Sequence, residues 1–302
     1  MGTPIFLTTR APRVPPATAP QSIWKLAAVI AAGSDAGASA APTPPPLQRS
    51  DSVPALTVQL LDGFHVWVGM HAVAEPPQGK AASLFKLLVL QRHRPVSRAR
   101  LCNLYWPEAD TASARNNLNV TLHRLRRLLG TAAQIVFRDE SYQLLTEGEI
   151  WVDAEQFERL AEHGGHEEGR IRLDAAIEAY EAAAQLYQSD LVPEIGADGA
   201  LSPLAQALRD RLNQVLTRAA ALRENSGDAH GCLRMALRCL ALDECNEAAH
   251  RQLMRCYARL GQPLEVERQY RRCVSVLRLQ LGLGPSDETT AQYRRLAERV
   301  AA

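Results

Sequence analysis

The stretch from Arg115 to Gly130, RNNLNVTLHRLRRLLG, combines hydrogen-bonding side chains and leucines at helical spacing. At 3.6 residues per turn, Leu118, Leu122, Leu125 and Leu129 fall within about 60° of one another, and Ala114 continues the stripe. The opposite side carries Asn116, Asn119, Val120, His123, Arg124 and Arg127, flanked by Arg115 and Arg126. Asn pairs bidentately with adenine edges and Arg with guanine edges, while an outward aliphatic group touches a thymine methyl. No acidic residue occurs from Thr111 to Gly130, whereas an ordinary solvated helix face mixes both signs. The plain alternative is a cationic surface helix whose arginines sit well at the C-terminal end of the macrodipole. The surrounding elements have to decide between the two.

Those elements read as follows. ALTVQLLDGFHVWVG suggests two short strands joined by Asp62-Gly63, with Val58 and Leu60 on one face and Phe64, Val66 and Val68 aligned on the partner. KAASLFKLLVLQRH reads as a first helix burying Leu84, Phe85, Leu88 and Val89, broken by Pro95. Ser97 is a fitting N-cap for a short second helix, RARLCNLYW, which must end before Pro107. Asp110 caps the helix of the opening stretch and Gly130 stops it. QIVF and YQLL flank the tip Arg138-Asp139-Glu140-Ser141 as a final hairpin. Three helices and a hairpin, with the third helix amphipathic and basic, are the layout of a winged helix-turn-helix, whose third helix enters the major groove.

The 302 residues leave room for about two domains. The net charge of +1 conceals an asymmetry. Residues 56–146 hold eleven basic side chains against six acidic ones, and residues 147–302 hold 19 against 25, so the basic helix lies in a basic unit followed by an acidic one. An anionic partner is expected for the first unit only. Ten of the 18 prolines lie in residues 1–55, so residues 1–54 read as a disordered Pro/Ala-rich tail. The apolar run after Trp24 is interrupted by a lysine and lacks a compact basic lead, which argues against a secretory signal. No run of 18 apolar residues exists, so no membrane span is expected. The six cysteines form no C-x-x-C pair and read as reduced thiols.

Beyond residue 152 the pattern is helical and repetitive. Gly227-Asp228 and Gly261-Gln262 stand 34 residues apart, and the same frame pairs Ala219 with Leu253, Leu222 with Cys256, and Cys239 with Cys273. Helix pairs turning at glycine with that period are the tetratricopeptide signature. DAAIEAYEAAAQLY from Asp174 suggests an earlier copy, and PSDETTAQYRRL a terminal cap beginning at Ser286 or Asp287. Tyr257, Met254 and Met235 are expected in the core. The expected fold is therefore mostly α: an α+β winged helix-turn-helix over 55–152, then an all-α tetratricopeptide-like domain over 153–302.

Catalytic chemistry finds no support: no phosphate-cradling G-x-x-x-x-G-K-[ST], no H-E-x-x-H and no nucleophile elbow occur. HGGHEEGR from His163 is the one cluster with metal-like residues, and its glycines at 164, 165 and 169 argue for a solvated loop between helices. No catalytic residue, cofactor or metal is expected. A helical-repeat adaptor, with the winged helix serving protein contacts, is the alternative from another functional class.

Two segments, GKAASLFKLLVLQRHRPVSRARLCNLYWPEADTASARNNLNVTLHRLRRLLG and EAAHRQLMRCYARLGQPLEVERQYRRCVSVLRLQLGLGPSDET, resemble bacterial transcriptional activators of the antibiotic-regulatory-protein class. These join a response-regulator type winged helix to a tetratricopeptide-like bacterial transcriptional activator domain. The resemblance implies a cytoplasmic, sequence-specific activator. It also implies binding to double-stranded DNA as a homodimer or higher assembly on direct repeats, with contacts to RNA polymerase. Carried onto LNVTLHRLRR, it assigns base-edge contacts to Asn119, Val120, His123 and Arg124, and backbone contacts to Thr121 and Arg126. The helical wheel adds Asn116 and Arg127, with Arg115 at the flank. IVFRDESYQL resembles the family's strand-Arg-turn-Tyr wing, which makes Arg138 the minor-groove or phosphate contact. Asp139-Glu140 stand where the family usually has glycine, and two carboxylates beside phosphates work against deep insertion of the wing.

Overall fold

The computed structural model describes residues 53–191 and 198–301. The tail over 1–54, with the apolar run after Trp24, lies almost wholly outside them. The first elements are strands β1 (Leu56–Gln59), β2 (His65–Val68) and β3 (His71–Ala72). Helix α1 (Gly79–Leu90), strand β4 (Val96–Ser97), and helices α2 (Arg98–Tyr105) and α3 (Thr111–Leu129) follow. Strands β5 (Gln134–Arg138), β6 (Ser141–Leu145) and β7 (Ile150–Val152) complete this part. One sheet runs β3-β2-β1-β7 with β7 parallel to β1, and the other runs β4-β6-β5. Helix α1 is buried at every position from Ala82 to Val89 because α3, β6 and a later helix all pack on it. Even Lys86 is enclosed there, with its Nζ 4.6 Å from the centre of the Phe64 ring.

Local capping signals behave as the sequence suggests. Ser97 Oγ accepts the Arg100 N–H at 3.3 Å, and Asp110 Oδ1 accepts from Ala112 and Ser113 at 2.9 and 3.0 Å. Such caps satisfy amides that have no partner within the helix. Gly130 follows α3 with φ +54°, a backbone region costly for other residues.

The remaining helices are α4 (Asp153–Gly169), α5 (Leu173–Leu186), α6 (Asp198–Asn225), α7 (Ala229–Leu242), α8 (Glu247–Arg259), α9 (Pro263–Leu281) and α10 (Asp287–Ala301). They stack as pairs, α4 on α5, α6 on α7 and α8 on α9, with α10 closing the row. The 34-residue frame is physical. Ala219, Leu253, Cys256, Cys239 and Cys273 are fully buried, and Gly227 and Gly261 both turn the chain at positive φ. Ser286 Oγ accepts the Thr289 N–H at 3.4 Å at the start of α10. Met254 is buried, and Met235 and Tyr257 are half-buried against the core.

Two local expectations fail, for one reason: the segments serve distant partners. The first hairpin does not turn at two residues, since Gln59 pairs with His65. Leu60 and Leu61 leave the strand and donate their N–H groups to the buried carboxylate of Asp153, both at 2.7 Å. The Leu61 carbonyl accepts from Gln188 and Ser189 at 2.8 and 2.7 Å. HGGHEEGR, in turn, is the C-terminal half of α4, not a loop. Gly164 lies beneath the Tyr180 ring, and a Cβ there would come within 2.6 Å of it. The glycine permits close approach of α4 and α5.

The winged helix and the repeats are thus packed on each other. Asp153 opens α4 immediately after β7, and its Oδ1 also accepts its neighbour's N–H from Ala154 at 2.7 Å. Burial pushes this carboxyl up to about 6, while the amides of Leu61, Leu60 and Ala154 hold it down. Arg92, just beyond α1, forms an ion pair with Glu155 of α4, and α1 and α2 both rest on α6.

Candidate nucleic-acid interface

Helix α3 packs Ala114, Leu118, Leu122, Leu125 and Leu129 inward, as the spacing predicts. Burying four leucines in this way contributes about 1.5–3 kcal/mol each, which fixes the rotation of the helix and therefore what it presents outward. Arg115, Asn116, Asn119, Val120, His123, Arg124, Arg126 and Arg127 are all exposed. Val120 is 45% exposed, high for an aliphatic side chain that nothing in the fold covers. Thr121 is half-buried, and its hydroxyl donates to the Asn117 carbonyl of its own helix at 2.8 Å. Among the described residues, no ion pair joins any arginine of α3 to a carboxylate. The repeats lie against α1 and α2 and leave this face open.

Two members of the set have a second occupation. Arg126 donates from Nε and Nη2 to the Ile135 carbonyl at 3.1 and 2.8 Å, bracing the first strand of the wing. Only its remaining donors are free to meet an anion. Asn119 Oδ1 accepts from the Tyr142 hydroxyl of β6 at 3.4 Å. The wing is thereby tied to the outward face of the helix at two points.

The wing itself is built on β5 and β6, closed by Asp139 and Glu140 at φ +46° and +56°. Two successive positive φ values make the mirror-image turn that matches strand twist, a conformation for which glycine or Asn is the easy choice. Here the departure from glycine is held from outside the hairpin. The Glu140 carbonyl accepts the Arg98 N–H at 2.8 Å, and its carboxylate pairs with the Arg98 guanidinium. That guanidinium also sits 5.2 Å from the Phe137 ring, and Phe137 packs on Tyr142 at 4.7 Å. One of the two tip carboxylates is therefore neutralised within the protein, and Arg138 stands exposed beside it. Arg98 and Tyr142 were not candidates on sequence. Their partners lie 42 and 23 residues away, and nothing local announces them.

A shallow cleft runs beside the helix between Gln78 and Lys80 at the start of α1, Trp106, and Asn117, Val120, Thr121 and Arg124 of α3. Lys80 donates to the Tyr105 carbonyl at 2.6 Å and lies over the Trp106 ring, closing the end of α2.

The metal-like residues have structural partners. Glu167 is buried and meets Arg170 and Arg172 at 3.3 Å each, while Glu168 accepts from Tyr180 and pairs with Arg218. Among the described residues, no group of three or more His, Cys, Asp or Glu side chains is placed to hold a metal ion. No described helix is long and apolar enough to cross a membrane. All six cysteines are free thiols.

Comparison with known proteins places these elements in context. Residues 77–142 match the family described as transcriptional regulatory protein, C terminal, and residues 152–297 match the family described as bacterial transcriptional activator domain. Among solved structures, Mycobacterium tuberculosis EmbR in complex with a low-affinity phosphopeptide is similar, at 21% identity and a TM-score of 0.66 over 82% of this chain. The match spans 65% of the EmbR chain. A further structure, the C-terminal tetratricopeptide-containing domain of a Plasmodium falciparum FK506-binding protein, aligns over 49% of this chain and 91% of its own, at 14% identity and a TM-score of 0.36. No curated protein matches the chain.

Proposed function

We propose that this chain, with its transcriptional regulatory protein C-terminal domain over residues 77–142 and its bacterial transcriptional activator domain over residues 152–297, is an activator of the antibiotic-regulatory-protein type that recognises promoter repeats through the outward face of α3. It is a DNA-binding transcriptional regulator. In the proposed arrangement the winged helix over 55–152 docks α3 in the major groove. Asn116, Asn119, Val120, His123 and Arg124 face base edges. Arg115, Thr121, Arg126 and Arg127 meet the backbone, and Arg138 reaches a phosphate or the adjacent minor groove. The helical repeats over 153–302 serve assembly into a homodimer or larger array and contact RNA polymerase.

The observation that carries this reading is the exposed, carboxylate-free ridge of α3, left open by a repeat domain that packs on the other side of the winged helix. Basic contacts to phosphates supply affinity that falls steeply with salt, and base-edge contacts supply about 1–3 kcal/mol of discrimination for each good bidentate pair. A mobility-shift assay with genomic fragments at low and moderate salt tests it. A saturable retarded band is expected, with Arg124→Ala relaxing preference at particular base positions. Absence of any saturable band at either salt concentration contradicts the reading.

A further inference from the structure

Tyr142 of the wing meets a side chain on the outward face of α3. Asn119 lies on the exposed face of α3, and its Oδ1 is turned back toward the protein, 3.4 Å from the Tyr142 hydroxyl. Tyr142 cannot follow Asn119 outward. It is buried, paired in the sheet with Phe137 and Val96, and packed on the Phe137 ring at 4.7 Å. Arg126 fixes the distance between helix and wing through the Ile135 carbonyl. An amide offers one acceptor atom and one NH2 donor on opposite sides. The oxygen has two lone pairs, so what matters is its direction: turned toward the Tyr142 hydroxyl, it leaves the NH2 on the other side of the amide for a ligand.

We propose that Tyr142 is a specificity-determining residue: by holding the Asn119 carbonyl, it makes Asn119 a hydrogen-bond donor toward the groove. The consequence departs from the usual pairing of Asn with adenine. That pairing is bidentate and needs both atoms facing the base, Oδ1 to accept from N6 and Nδ2 to donate to N7. A donor alone meets acceptors, and in the major groove guanine offers two, N7 and O6, while cytosine offers an NH2 donor. The base pair beneath Asn119 is therefore selected for acceptors, guanine foremost, and adenine is not singled out. This inference rests on α3 being the recognition helix.

Selection of bound duplexes from a random library, with the full chain and its Asn119→Ala and Tyr142→Phe variants at one salt concentration, tests it. Asn119→Ala is expected to flatten preference at one position, which locates the base pair in question. The parent is expected to favour guanine over adenine there. Tyr142→Phe keeps the ring and its packing but frees the amide. It is expected to raise adenine relative to guanine at that position by about fivefold or more, the lower end of what a bidentate contact discriminates. Its salt slope and all other positions stay as in the parent. Three results overturn the proposal while leaving the recognition helix intact: an adenine preference already present in the parent, a Tyr142→Phe profile identical to the parent's, or no position flattened by Asn119→Ala. A parent protein that selects no sequence at all overturns the recognition-helix reading and this inference with it.

Discussion

Helices α3 and α6 each carry four arginines, and they use them in opposite ways. On α6, each of four arginines meets a carboxylate of the neighbouring helix pair or the segment after it. Arg209 lies 3.0 Å from Asp190 and Arg211 3.4 Å from Glu158, Arg218 pairs with Glu168, and Arg223 pairs with Glu181. The Arg223 pair is bidentate, at 2.8 and 2.7 Å. On α3, Arg115, Arg124 and Arg127 stand exposed, with no carboxylate paired to them among the described residues. The residue type is the same, and the sign of what surrounds it differs. The arginines of α6 are thus neutralised inside the molecule, where they order the stack, whereas Arg115, Arg124 and Arg127 of the winged helix remain exposed. Net charge over the whole chain conceals this difference.

The contrast can be broken on the α6 side first. Arg223→Ala removes a part-buried, charge-assisted pair and strands Glu181, so urea unfolding is expected to show a loss of about 1–3 kcal/mol. Adding Glu181→Ala is expected to recover part of that loss, while duplex binding stays at the parent level. A loss of DNA affinity without loss of stability would mean that α6, too, faces DNA. A smaller effect is expected at the joint between the two halves. Asp153 holds its proton up to about 6 in the folded protein, above its ordinary value near 3.8. Between those values the folded state binds more protons than the unfolded one, so this group favours folding as pH falls from about 6 to 4 and opposes it above. The stability difference between the parent and Asp153→Asn is expected to shift toward the parent on acidification across that window, by at most about 1.4 kcal/mol per pH unit. A flat difference would show that Asp153 does not titrate there.

The legible parts of the fold are those whose determinants lie within a few residues. The limits of α3 follow from Asp110 and Gly130, its rotation from four leucines, and the paired helices from glycines 34 residues apart. The illegible parts depend on long-range partners. Asp62-Gly63 is a strong local turn signal, yet Asp153, more than ninety residues away, draws Leu60 and Leu61 out of the strand. Glycines read as loop at 164 and 165 because the pattern could not show the Tyr180 ring above them. The candidate interface divides in the same way. Helical periodicity alone identifies which side chains of α3 face outward. It cannot show that Arg126 braces the wing, that Tyr142 holds Asn119, or that Arg98 compensates the unusual tip. β7 is only three residues long, and its pairing with β1 depends on a segment nearly a hundred residues earlier.

The central claim is that Arg115, Arg124 and Arg127 of α3 are kept free for DNA while the arginines of α6 are not. It is tested most directly by titrating a selected duplex and a random duplex across a range of salt concentrations with the full chain, an Arg124→Ala Arg127→Ala double variant, and Arg218→Ala. The account predicts that the α3 variant loses affinity and discrimination, with a shallower salt slope of about 0.9 for each phosphate contact removed, and that Arg218→Ala binds as the parent does. An α3 variant that binds both duplexes like the parent, at every salt concentration, would contradict it.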